Sequence, residues 1–148
     1  MSLIGSKTKS EYIEWDKLQS LTQKLERDGD LKFCLLITIG MYTGLRISDI
    51  LSLKWVDILD KENILITEKK TGKVRKISIN PILKETVSRL SSKISRFNPE
   101  QYIFLNKYGK KTISRQFVNW KLKELMKKYE VVKNIKGVKP HSLRKSFG

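Results

Sequence analysis

One histidine and one cysteine are all that the 148 residues offer of the side chains most used to ligate transition metals. His141 and Cys34 cannot build a Cys/His zinc site, carboxylates would have to supply nearly every ligand of any alternative, and a lone cysteine closes no disulfide within the chain. No metal and no cofactor is expected. Cys34 sits inside the apolar run from Leu31 to Tyr42, where it reads as a small core residue. That run, interrupted by Lys32, is the longest in the sequence and falls well short of the roughly 20 residues that cross a bilayer. The polar N-terminus has no apolar signal core either. The expected setting is therefore intracellular and reducing, with no membrane partner.

Acidic side chains are also scarce: 15 Asp and Glu stand against 31 Lys and Arg, a formal net charge of +16. Such an imbalance calls for a polyanionic partner, and nucleic acid leads the candidates, ahead of any small-molecule substrate. Residues 107–148 hold 13 basic and 2 acidic side chains, whereas residues 1–106 hold 18 and 13, so the last third is expected to face phosphates. An RNA partner is disfavoured, because neither an RNP-like aromatic strand nor a GXXG loop is present.

A length of 148 residues fits one domain with a core of its own. Residues 1–10 are polar and patternless and are expected to be a loose leader. Asp16 followed by Gln19 resembles a capping box, and Leu18, Leu21 and Leu25 then recur at helical spacing up to Gly29, which predicts a helix near 17–28. Asp30 can cap a second helix whose apolar residues cover nearly every face, the expected centre of the core. Ile47, Ile50, Leu51 and Leu53 predict a short amphipathic helix. Three runs rich in β-branched residues, 55–59, 63–67 and 74–79, with short links predict an antiparallel meander. Pro81 opens a helix carrying Ile82/Leu83, Val87, Leu90 and Ile94 that is expected to run on until Asn98-Pro99, and 102–106 is a brief extended segment. Thr112 or Ser114 caps a further helix with Phe117, Val118, Leu122, Leu125 and Tyr129 on one face. Arg115, Lys123, Lys127 and Lys128 on the opposite face would track phosphates. A loop over 130–140 leads to a last helix opened by Pro140. The fold expected is α+β and mainly α-helical, with helices around a small three-stranded antiparallel sheet.

Two stretches carry chemistry. In TGLRISD, residues 43–49, Gly44 can adopt the positive φ that ends one helix while Ser48 and Asp49 begin the next, so Arg46 should project from a tight corner. In HSLR, residues 141–144, His141 and Arg144 are three apart and on a helix would share a face, able to grip one phosphate together.

TGLRISDILSLKW, KKTGKVRKISI and HSLR, in this order and at these separations, resemble the catalytic domain of tyrosine recombinases, the phage integrase family, across nearly the whole chain. The resemblance implies the catalytic fold of DNA breaking and rejoining enzymes. It further implies site-specific recombination or integration through a 3′-phosphotyrosyl intermediate, duplex DNA and further copies of the protein as partners, and a cytoplasmic setting in a prokaryotic cell. Carried over residue by residue, it makes Arg46, Lys70, His141 and Arg144 the groups around a scissile phosphate, with Asp49 in support. Lys69 and Lys73 rival Lys70, which aligns with the family's turn lysine; Lys73 and Lys145 join the expected DNA contacts. The chemistry agrees, since two guanidinium forks can stabilise charge building on equatorial phosphate oxygens, and a lysine among cations can act as general acid toward the leaving 5′ oxygen. His141 would exchange a proton with the nucleophile or hold the phosphate. The family's nucleophile is a tyrosine well beyond the His-x-x-Arg box. None of Tyr12, Tyr42, Tyr102, Tyr108 and Tyr129 matches it. The chain is thus expected to be a partial catalytic domain, without the family's N-terminal DNA-clamping domain and without the tyrosine segment. The other reading is a DNA-binding module of the same origin that does not cut.

Overall fold

The apolar run of the sequence becomes a central helix in the computed structural model, which describes residues 13–68, 70–95 and 97–131. This helix, α2 (Leu31–Thr43), follows α1 (Trp15–Arg27) and buries ten of its thirteen residues, so it has no solvent face to speak of. Asp30 caps it by accepting from the Phe33 N–H at 3.3 Å. The buried hydroxyls of Thr38 and Thr43 donate to the Cys34 and Ile39 carbonyls at 2.7 and 2.6 Å, which removes the cost of placing them in the core. Against it lies α1, through Leu18, Leu21 and Leu25. Each such leucine, fully withdrawn from water, contributes about 1.5–3 kcal/mol. The helix starts at Trp15, two residues earlier than its leucine spacing predicts, because the Trp15 ring meets Tyr42 edge-on at 5.1 Å. Asp16 consequently lies in the first turn, not at the cap.

After the Gly44 corner come α3 (Ile47–Leu51) and α4 (Trp55–Ile58). The second of these corrects the strand expected at 55–59. Trp55 and Ile58 are buried while Val56 and Asp57 between them are exposed, a spacing of three that a strand cannot bury on one face. The Asp57 carboxylate accepts from the Lys54 N–H at 2.8 Å, the reaching-back half of a capping box, and so starts a helical turn where β-branched content favours extension. Among the described residues the sheet therefore has two strands, β1 (Asn63–Thr67) and β2 (Val74–Ser78), antiparallel with Ile64 opposite Ile77 and Ile66 opposite Arg75.

Asn80 caps α5 (Pro81–Ser91), which buries Leu83, Val87 and Leu90 but leaves Ile82 outside. The helix stops short of Asn98-Pro99: the Ser91 and Ser92 hydroxyls donate to the Ser88 and Arg89 carbonyls and compete with helix continuation. Among the described residues, segment 102–106 pairs only through isolated bridges, Lys54 with Tyr102 and Leu105 with Thr112. Ser114 is the cap of α6 (Arg115–Lys128), accepting from the Phe117 N–H at 3.0 Å. Val118, Leu122, Leu125 and Met126 of α6 join the core, while Phe117 stays largely outside and Tyr129 half-buried. No helix among the described residues is long and apolar enough to cross a membrane.

Candidate active-site cleft

Arg46 is pushed outward by its neighbours. Gly44 takes φ 68°, the left-handed conformation that closes α2, and its N–H reaches the Gly40 carbonyl at 3.1 Å. Leu45 and Ile47 are both buried, and the backbone at Arg46 is extended (φ −67°, ψ 150°), so its side chain has only the solvent side to occupy. The Arg46 carbonyl accepts from the Asp49 and Ile50 N–H groups at 2.9 and 3.0 Å, tying the arginine's backbone to the first turn of α3.

Arg46 lines a cleft of about 610 Å³ between α3 and the β1–β2 hairpin, and Lys70 lines its other wall. The hairpin turn that carries Lys70 is held by the Glu68 N–H to the Lys73 carbonyl and the Gly72 N–H to the Glu68 carbonyl, both 2.8 Å, with Gly72 at φ 71°. Among the described residues no carboxylate lies within ion-pair distance of Arg46 or Lys70. Both charges are thus available to a ligand. Asp49 belongs to the same cleft, half-buried, with its Oδ2 4.0 Å from Arg75 Nη2. Arg75 also faces Glu68, Nε to Oε1 at 3.9 Å. Sequence reasoning assigned Arg75 no part, although strand alternation offered a signal: it shares a face with Ile77, where an apolar residue is the rule.

His141, Arg144 and Lys145 lie outside the described residues, as do Lys69, the leader at 1–10 and the helix expected after Pro140. Of the expected DNA contacts, Lys73 is exposed on the hairpin turn and does not line the cleft. Arg115, Lys127 and Lys128 are exposed on α6 and Lys123 is half-buried, and none of the four lines the cleft. Lys121 of the same helix is engaged inward, 3.7 Å from Asp30 and over the Phe33 ring. A second cavity of about 530 Å³, between the start of α2 and α6, is lined by Phe33, Leu35, Ile103 and Phe117 among others, and neither Arg46 nor Lys70 is among its described lining. The one thiol takes no part: burial pushes Cys34 up to about 11.

Comparison with known proteins bears on this arrangement. The chain is 30% identical over 133 residues to the probable integrase/recombinase YoeC of Bacillus subtilis, spanning 90% of this chain and 69% of that protein. It is 31% identical over 137 residues to a tyrosine recombinase of Thermosipho africanus, spanning 93% of this chain and 46% of the relative. The fold is that of the XerA recombinase (TM-score 0.70, 22% identity, 94% of this chain and 49% of that one). It is likewise that of lambda integrase residues 75–356 solved on DNA (TM-score 0.64, 19% identity, 95% and 49%). The chain thus spans about half the length of these solved structures. The family model described as the phage integrase family matches residues 11–148, and the chain belongs to that family.

Proposed function

We propose that this chain binds duplex DNA and supplies the electrostatic half of a phosphoryl-transfer site for site-specific recombination, as a partial catalytic domain of a tyrosine recombinase. The observation that carries the reading is the shared cleft of Arg46 and Lys70, two cations on separate elements with no described counter-ion. A phosphodiester entering there meets a guanidinium that can hold two equatorial oxygens and an ammonium that can give its proton to the departing 5′ oxygen. His141 and Arg144 would close the site from the far end of the chain: Arg144 as the second fork, His141 at the attacking hydroxyl. The nucleophile would come from a tyrosine outside these 148 residues, since none of the five present matches the family's position. Copies of the protein assemble on the DNA, within the cytoplasm of a prokaryotic cell.

The test is covalent trapping on duplex DNA nicked beside the scissile bond. A version extended to include the family's tyrosine should form a 3′-phosphotyrosyl band of raised mass on a denaturing gel, lost in Arg46→Ala. The 148-residue chain should bind the same DNA and form none. An adduct from the 148 residues that disappears in Tyr108→Phe or Tyr129→Phe would overturn this division of labour. An extended protein that binds DNA without any adduct would reduce it to a DNA-binding module.

A further inference from the structure

The described walls of the cleft carry three cations, Arg46, Lys70 and Arg75, and three carboxylates, Asp49, Asp57 and Glu68. That balance is a poor welcome for a phosphodiester. Asp57 spends part of its charge on the Lys54 N–H, whereas Asp49 and Glu68 have Arg75 as their common cation, at 4.0 and 3.9 Å. Arg75 reaches both from the second position of β2, next to the hairpin turn, on the face it shares with Ile64, Ile66 and Ile77. Stability does not explain an arginine on that face. Its ion pairs are long, its side chain is 46% exposed, and exposed pairs of this kind contribute little to folding.

We infer that Arg75 is a charge-compensating and positioning residue of the cleft: it cancels Asp49 and Glu68, so that Arg46 and Lys70 present their charge to the phosphate undiminished. The inference rests on the DNA reading above and adds to it a residue which that reading does not use. Without Arg75, two uncompensated carboxylates would face the incoming phosphate, and like charges brought together across a binding surface oppose association strongly. Arg75 also ties α3 to the hairpin, the two walls on which Arg46 and Lys70 stand. Its effect is therefore on what the other two cations can do, exerted through the carboxylates.

The experiment measures binding of a fluorescent DNA duplex at low salt by the 148-residue protein and a set of variants. Lys76→Gln removes one positive charge from the same strand at a position that does not line the cleft, and so sets the cost of charge alone. Arg75→Gln should bind at least about tenfold more weakly than Lys76→Gln. Adding Glu68→Gln to Arg75→Gln should recover about half of that difference, because one of the two carboxylates that needed cancelling is gone. Arg75→Lys, which keeps the charge, should stay within about threefold of wild type and guards against a folding defect in the glutamine variant. Equal losses in Arg75→Gln and Lys76→Gln overturn the inference and leave the DNA reading standing. No recovery with Glu68→Gln also overturns it, since Arg75 would then touch the ligand itself or serve the fold. Wild-type protein that fails to bind DNA at low salt sinks the DNA reading and this inference with it.

Discussion

At the scale of single residues, Gly44 decides where Arg46 points. Its φ of 68° lies where an L side chain crowds the backbone, and it is the hinge between a buried helix and an exposed arginine. Gly44→Ala is expected to cost about 1 kcal/mol in urea unfolding, with DNA affinity falling further than that loss of stability accounts for. A second residue matters for pH. Glu26 accepts from Arg89 Nε and Nη2 at 2.9 Å each and from Lys93 at 2.9 Å, and these bonds, Arg89 first, hold its carboxyl down to about 2 from an ordinary 4.5. The folded state thus takes up this proton less readily than the unfolded chain. Its stabilisation is present above pH 4.5 and is lost as pH falls toward 2. Glu26→Gln should flatten the fall of stability across that window, measured by urea midpoints at stepped pH. Part of the fall should persist, because Asp28, held to about 2 by Arg27 and by the Tyr129 hydroxyl, titrates in the same range. Arg46 was legible in the sequence because a glycine and two apolar neighbours dictate an outward side chain. Arg75 showed only as a charge on an otherwise apolar strand face, and its role was not legible, because its partners arrive from α3 and from the far end of β1, and spacing along one strand does not reveal them.

At the scale of elements, the contest between extended and helical backbone at 55–59 shows how local chemistry is outvoted. Trp, Val, Ile and Leu around a single aspartate read as a strand, yet one carboxylate at Asp57 captures the Lys54 N–H and two large side chains three apart share one buried side. Asp57→Ala should release that cap and cost about 1 kcal/mol, read from the shift of the urea midpoint at unchanged slope. Helix α2 was read correctly for the opposite reason: an apolar residue at nearly every position leaves no amphipathic alternative, so burial on all sides is the only stable outcome. The end of α5 went unread since serine hydroxyls can cap or continue a helix, and which they do depends on what the next residues pack against.

At the scale of the whole molecule, a net charge of +16 makes the proposed association with DNA a salt-governed equilibrium. If the exposed ammonium groups of α6 meet phosphates, Lys127→Gln and Lys128→Gln should each lower the magnitude of the log K against log salt slope by about 0.9, nearly alike for any sequence of duplex. An unchanged slope in the double variant would take α6 out of the DNA interface. Composition and order along the chain were enough to settle the central helix, the Gly44 corner, the β1–β2 hairpin and the family, since these depend on motif order and on interactions within a few residues. The tertiary structure decided what spacing along the chain cannot encode: that the first apparent strand, 55–59, is a helix, that Arg46 and Lys70 share one cleft, and that Arg75 stands between two of its carboxylates. Those outcomes rest on contacts between elements, which are set by how whole faces pack and by which charges the packing brings within a few ångströms of one another.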